Sequence, residues 1–169
     1  MELTWQPQRM NQIGQMTIRE VSLNDAATLL DLMLGAFAEY EGVLNPPSGA
    51  HGETMTTVVK KLSCGGGALA TVDGEPAGFA FYQPDGDLLY FGRLSVLPRF
   101  RNRGIGRALL EYVEQRARHK GAAGVSLGVR LQLPHLVARY ERLGYRITEY
   151  MTHHGYDSPT YVYMEKRFS

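Results

Sequence analysis

Leu94-Ser95-Val96-Leu97-Pro98-Arg99-Phe100-Arg101-Asn102-Arg103-Gly104-Ile105-Gly106-Arg107 is the stretch whose reading decides the fold. It opens with an apolar run, halts at a proline, and crosses a basic turn that holds two glycines. Apolar residues then recur at positions 105, 108, 109, 112, 113 and 117, the one-sided repeat of an amphipathic helix. A strand, a glycine turn and a helix start make an anion site when they come in that order. The first turn of a helix leaves backbone N–H groups without partners and carries the positive end of the helix dipole. Gly104 and Gly106 remove side chains where phosphates would press against the backbone. Arg99, Arg101, Arg103 and Arg107 add guanidinium groups that suit phosphate oxygens. The stretch predicts a polyanionic ligand lying against Arg101, Asn102, Arg103, Gly104, Ile105, Gly106 and Arg107. Two well-known phosphate turns are excluded. No Gly-Lys-Ser/Thr closes a P-loop, and Leu109 stands where a dinucleotide turn has its third glycine.

Working outward, 68–72 and 77–82 read as strands on either side of a tight turn at Asp73-Gly74-Glu75. Asp85-Gly86 turns the chain again into a strand over 87–97, so three consecutive antiparallel strands lead into the glycine turn. The helix after it stops at Gly121, and 124–129 is a short buried strand, which predicts a parallel strand–helix–strand crossover. Pro134 and Gly144 bracket a further helix. Strands over 145–153 and 160–166 close the chain around a loop at 155–159. Upstream, 17–21 alternates like a strand, and Ser22-Leu23-Asn24-Asp25 resembles a capping box. The helix it opens places Ala26, Leu29, Leu30, Met33 and Phe37 on one face and ends near Gly42. A loop over 45–49 and a shorter helix over 53–62 follow. The predicted order is β-α-α-β-β-β-α-β-α-β-β.

Composition sets the limits. A chain of 169 residues, 44% of them apolar, is long enough to bury one full core. A net charge of +1 argues against a general nucleic-acid or membrane-surface binder, because the positive charge is local to 99–107. The one cysteine, Cys64, excludes a disulfide framework and fits a reducing, cytoplasmic setting. No run reaches transmembrane length, and no signal peptide is legible. Residues 1–15 are polar and aperiodic and read as a flexible N-terminal extension, with Met1, Met10 and Met16 each a candidate start; 16–169 reads as a single domain.

Arg101-Asn102-Arg103-Gly104-Ile105-Gly106, preceded by Val96-Leu97-Pro98, resembles the R/Q-x-x-G-x-G/A signature of the GCN5-related N-acetyltransferases, the GNAT family. Two further segments support the resemblance. Tyr140-Glu141-Arg142-Leu143-Gly144-Tyr145 looks like the family's Y-E-x-x-G-F/Y segment, and Val129-Arg130 before a helix start matches the strand beside the cofactor's arm. The element order is that of the family, and the match covers about 16–168. The resemblance implies an α/β fold of the acyl-CoA N-acyltransferase type. Its mixed sheet is mostly antiparallel, with a central parallel strand pair and flanking helices. It implies acetyl-CoA as co-substrate and a primary amine, of a small molecule or a lysine, as acceptor. The backbone of Leu94, Ser95 and Val96 would bond the pantetheine arm, and a donor near Leu94 would polarise the thioester carbonyl. The amine would attack directly in a ternary complex, with Tyr140 protonating the departing thiolate. A homodimer is a further expectation, since terminal strands in this family often pair between subunits.

The chain departs from the branch that acts on protein N-termini. It has Gly128-Val129-Arg130 where that branch has Glu-Val-Arg, and Leu133 in place of an asparagine seven residues before the tyrosine. The base that takes the amine's proton is therefore sought elsewhere, with Glu39 and Glu41 near the end of the first helix as candidates. Other conspicuous residues have plainer readings. His153-His154 lacks a third ligand at metal spacing and reads as a strand-end pair, so no metal is expected. His135 helps start its helix, and nothing beside Cys64 would depress a thiol pKa. Most of the tyrosines are sheet packing, with Tyr156 a candidate wall of the acceptor pocket. Two alternatives stay open: a module that binds acyl-CoA without turnover, and a transferase of a longer acyl group.

Overall fold

Each strand and helix of the chain forms where its periodicity places it, and the computed structural model describes residues 14–169. The expectations for residues 1–13, including Met1 and Met10 as starts, lie outside the described residues. The strands are β1 (Met16–Glu20), β2 (Gly66–Val72), β3 (Glu75–Asp85), β4 (Leu88–Val96), β5 (Gly124–Arg130), β6 (Arg146–Met151) and β7 (Tyr161–Arg167). The helices are α1 (Ala26–Phe37), α2 (Met55–Cys64), α3 (Ile105–His119) and α4 (Pro134–Arg142). Short 3-10 turns extend α1 at both ends, precede α2 and follow β4. Gln15, read from sequence as part of the extension, is tied to the β2–β3 turn: its N–H donates to Asp73 Oδ1 at 2.9 Å. That turn has two central residues, Asp73 and Gly74, both at positive φ (51° and 83°), the geometry that suits the twist of a two-residue hairpin. Among the described residues no helix is long and apolar enough to cross a membrane.

The seven strands form one sheet in the order β1-β2-β3-β4-β5-β7-β6, antiparallel throughout except for the β4/β5 pair. Residues alternate between two apolar layers. Leu69, Phe79 and Phe81 face α1 and α2 together with Leu29, Met33 and Val58. Ala68, Ala70, Ala80 and Tyr82 face α3, which answers with Ile105, Leu109, Tyr112 and Val113. The alanines let α3 lie close to the sheet. Gly78 does the same at its first turn, where a Cβ would stand 2.6 Å from the Ser95 carbonyl and 3.3 Å from Ile105. Burying Ile105 and Leu109 completely contributes about 2 kcal/mol each, which fixes the start of α3 against the sheet.

One irregularity shapes the rest. The β4/β5 ladder holds for only two pairs, Leu89↔Val125 and Tyr90↔Ser126, and then the strands part. On its other side β4 stays paired with β3, but Phe81 opposes Gly92 while Phe79 opposes Ser95, so Arg93 and Leu94 share one partner. That is a β-bulge, and Arg93 sits in it at φ 53°, which costs an L-residue on the order of 1 kcal/mol. A bulge bends the strand that carries it. Here the bend turns residues 93–96 away from β5 and opens the sheet at its centre.

Candidate active site

The opened sheet is the floor of a cleft of about 1160 Å³. That is more than one drug-sized ligand needs, and enough for two reactants side by side. Its first arm follows β4. Leu97 N–H donates to Ala77 on β3, so strand alternation turns the Leu94 and Val96 amides toward the gap. The side chains of Leu94 and Val96 line the cleft, whereas Ser95 is buried and its hydroxyl donates to the Arg93 carbonyl at 2.9 Å. This arm ends at the α3 N-terminus. Asn102 and Gly104 both take positive φ (61° and 79°), and no side chain among the described residues caps the helix. Asparagine tolerates that conformation and glycine takes it freely. The amides of Ile105, Gly106 and Arg107 are left without a capping side chain, beside the cleft. A Cβ on Gly104 would meet nothing within 4 Å, so the space before the helix is open. A Cβ on Gly106 would stand 3.5 Å from Leu94 and 3.7 Å from Arg139 Nη2, so strand, helix start and the Arg139 guanidinium converge on one spot.

The second arm follows β5. Arg130 donates from Nη1 to the Pro46 carbonyl at 2.7 Å and from Nη2 to the Pro47 carbonyl at 3.1 Å, which ties the α1–α2 loop across the opening. Two more contacts secure that loop: Asn45 N–H donates to Gln132 Oε1 at 2.9 Å, and the Tyr156 hydroxyl donates to Asn45 Oδ1. Gly128 makes room for the Tyr90 hydroxyl and the Tyr161 ring, both within 3.8 Å of where its Cβ would lie. The Tyr161 ring lies 4.7 Å from that of His153, whose Nδ1 is 2.5 Å from Thr160 Oγ1. Burial, and then the charge of Arg130, hold the His153 imidazole below its usual pKa, which keeps it neutral at pH 7.

Between the arms stands Tyr140 of α4, half-buried and set edge-on to Tyr145 with ring centroids 5.9 Å apart. Its hydroxyl makes no hydrogen bond among the described residues. Burial pushes its pKa up to about 12, so it keeps its proton at neutral pH.

An uncapped helix start, an arginine beside it and a parted parallel strand pair form a cradle for a phosphate-bearing arm. The sequence matches the family model described as the acetyltransferase (GNAT) family over residues 37–145, well over half the chain. The chain belongs to the GNAT acetyltransferase family. It is accordingly an acyltransferase, and GNAT proteins of similar fold have been seen with coenzyme A or acetyl-CoA bound. The fold is similar to that of the ribosomal-protein-S18-alanine N-acetyltransferase from Escherichia coli, at 24% identity over 92% of this chain and 95% of that one, TM-score 0.73. It is also similar to the PaiA N-acetyltransferase from Thermoplasma acidophilum in complex with coenzyme A. The identity there is 20% over 91% of this chain and 99% of that one, with a TM-score of 0.76. A comparison with curated protein sequences gave no match.

The acetyltransferase brings only part of the predicted residue set to its cleft. Leu94, Val96, Asn102, Gly104, Ile105, Gly106 and Tyr140 line it; Ser95 does not. The arginines behave differently from the expectation. Arg99 pairs with Glu75 at 3.1 Å and lies over the Phe100 ring, as Arg103 also does. Arg107 pairs with Glu111 one turn along α3. None of these three lines the cleft. Arg101 does, but its guanidinium is committed: Nε donates to Val96 O at 3.1 Å, Nη2 to Ala36 O at 2.9 Å, and Nη1 pairs with Glu39 at 2.7 Å. It fastens the C-terminal end of α1 to the glycine turn, where a cation also suits the helix dipole. Glu39 is thereby held in an ion pair, and Glu41 is exposed and outside the cleft lining. The sequence marks no chemistry at Arg93 or Arg139, places Arg130 only through the Val129-Arg130 match, and gives His153 only as a strand-end residue. The phase of α4 carried the signal for Arg139, since 136, 139 and 140 share one face and Tyr140 had already marked it.

Proposed function

We propose that the protein transfers an acetyl group from acetyl-CoA to a primary amine, of a small molecule or a lysine, by direct attack within a ternary complex. The observation that carries this reading is the parting of β4 from β5 beside an uncapped α3 N-terminus, with the Tyr140 hydroxyl between the arms. The residues fit acetyl-CoA: amides of 105–107 and Arg139 for its phosphates, and the gap-facing amides of Leu94 and Val96 for its pantetheine arm. Acetyl-CoA supplies the thioester. An amide at Leu94 stabilises the oxyanion that forms on its carbonyl. The N–C bond forms as the C–S bond breaks, and Tyr140 gives its proton to the thiolate. The amine loses its proton to His153. In the tautomer that donates Nδ1–H to Thr160 Oγ1, the Nε2 lone pair accepts it, and the lowered pKa keeps that lone pair free at pH 7. Glu39 and Glu41, the bases expected from sequence, give way to His153 because one is ion-paired and the other lies away from the cleft.

Tyr140→Phe tests the assignment. Thiol release from acetyl-CoA should fall on the order of 100-fold, while acetyl-CoA affinity by calorimetry changes less than about three-fold. Unchanged turnover would remove Tyr140 from the mechanism. Acetyl-CoA binding with no thiol release from any amine would favour a module that holds acyl-CoA without turnover.

A further inference from the structure

Arg93 and Arg130 face the same part of the cleft, and among the described residues no carboxylate of its lining pairs with either. The hydrogen bonds of Arg130 go to two neutral carbonyls, so among the described residues no carboxylate pairs with it and three of its five N–H groups make no hydrogen bond. Arg93 reaches in from the β4 bulge. Its Nε lies 3.3 Å from Glu53 Oε1, and its Nη2 packs against Gly49, 2.6 Å from where a Cβ would stand. Glu53 is itself buried, takes Lys61 Nζ at 2.5 Å and accepts from Thr57 Oγ1 at 2.5 Å. One carboxylate is thus divided between two cations. Glu39, the one acidic residue of the lining among the described residues, is spent on Arg101 on the β4 side. Burial first, and then the nearby charge of Arg93, push the Arg130 guanidinium below its usual pKa. Around them the walls are Tyr90, Tyr161, Pro46 and Pro47. Two guanidinium groups set in an aromatic and proline frame, with only Arg93 sharing part of one carboxylate, Glu53, form a receptor for an oxyanion.

We propose that the acceptor is an amine that itself carries a carboxylate, bound by Arg130 and Arg93 while its amino group is presented to the β4 arm. This rests on the transfer reading above. A bare alkylamine or a strongly cationic peptide would meet two positive charges offset only by the share of Glu53 that Arg93 takes. The same charges disfavour the ammonium form of a bound amine, which is the unreactive one.

The test uses the protein saturated with CoA and matched pairs of amines that differ by one carboxylate: phenethylamine and phenylalanine, isopentylamine and leucine, propylamine and 4-aminobutyrate. Calorimetry should show the acid binding about ten-fold tighter than its partner in at least one pair. Arg130→Met should abolish that difference, and Arg130→Lys should restore part of it. Arg93→Gln should reduce it too, and gives an independent reading if loss of the Arg130 tether disturbs the α1–α2 loop. Equal or undetectable binding of both members in every pair would overturn the proposal and leave the transfer reading standing. So would a preference that survives in both Arg130→Met and Arg93→Gln. Failure of CoA itself to bind would remove the transfer reading, and the acceptor class with it.

Discussion

Two helices of this chain begin in opposite ways. At α2, Thr54 and Thr57 exchange bonds: Thr57 N–H donates to Thr54 Oγ1 at 3.3 Å, and Thr54 N–H donates to Thr57 Oγ1 at 2.8 Å. The helix closes its own N-terminus and shows nothing to a ligand. At α3 the residue in the capping position is Gly104, at φ 79°, and no side chain among the described residues supplies an acceptor. Both starts lie beside the same sheet. The difference is that α2 uses its first turn for stability, whereas α3 leaves unmet hydrogen-bond donors that a phosphate can satisfy. An uncapped start forgoes on the order of 1 kcal/mol of helix stability. In α3 the complete burial of Ile105 and Leu109 under the sheet offsets that.

The largest effect should come from closing the open start. In Gly106→Val, backbone φ is unstrained, but the branched side chain enters the space between Leu94 and Arg139. Loss of two amide–phosphate bonds at about 1.5 kcal/mol each amounts to about 3 kcal/mol, more than 100-fold in the Kd for CoA. Calorimetry on a variant whose circular dichroism and melting curve match the parent measures this. Retained affinity would break the comparison, because the phosphates would then lie away from α3. A smaller loss, about ten-fold in Kd, is expected for Arg139→Met, which removes one guanidinium from an open site. That result would sharpen the comparison by dividing the anion site between the α3 backbone and an α4 side chain.

How far the sequence could be read follows from the same contrast. The glycine turn was legible because its demand is local: positions that need positive φ, followed by a helix repeat, announce themselves in the residues. Tyr140 was legible through the segment that carries it. The arginines of the turn were legible as charges and not as contacts. Which way a side chain leaves a turn depends on what the rest of the fold offers it. Glu75, Glu111, Glu39 and the Phe100 ring took up guanidiniums that had been assigned to phosphate. The strand over 87–97 gave no sign of its bulge, since an arginine at φ 53° has no local signature and is held there by pairing with β3 and by Glu53. His153 read as a strand-end residue because only the fold of the β6–β7 loop carries it to Tyr161 and into the cleft.

The smallest expected effect is the most discriminating. Thr54→Ala removes the acceptor that closes α2 and should cost about 1 kcal/mol, a fall of about 3 °C in Tm by scanning calorimetry for a chain of this size. Thr57 still accepts from the residue-54 amide and still donates to Glu53, so the Glu53–Arg93 pair keeps its support. CoA affinity should therefore stay within about two-fold of the parent, inside ordinary additivity for separated sites. A cap at α2 and an open start at α3 would then be independent devices, one for stability and one for binding. A drop in CoA affinity with Thr54→Ala would instead mean that α2 acts through Glu53 and Arg93 on the bulge that parts β4 from β5, so that the two helix starts work as one mechanism.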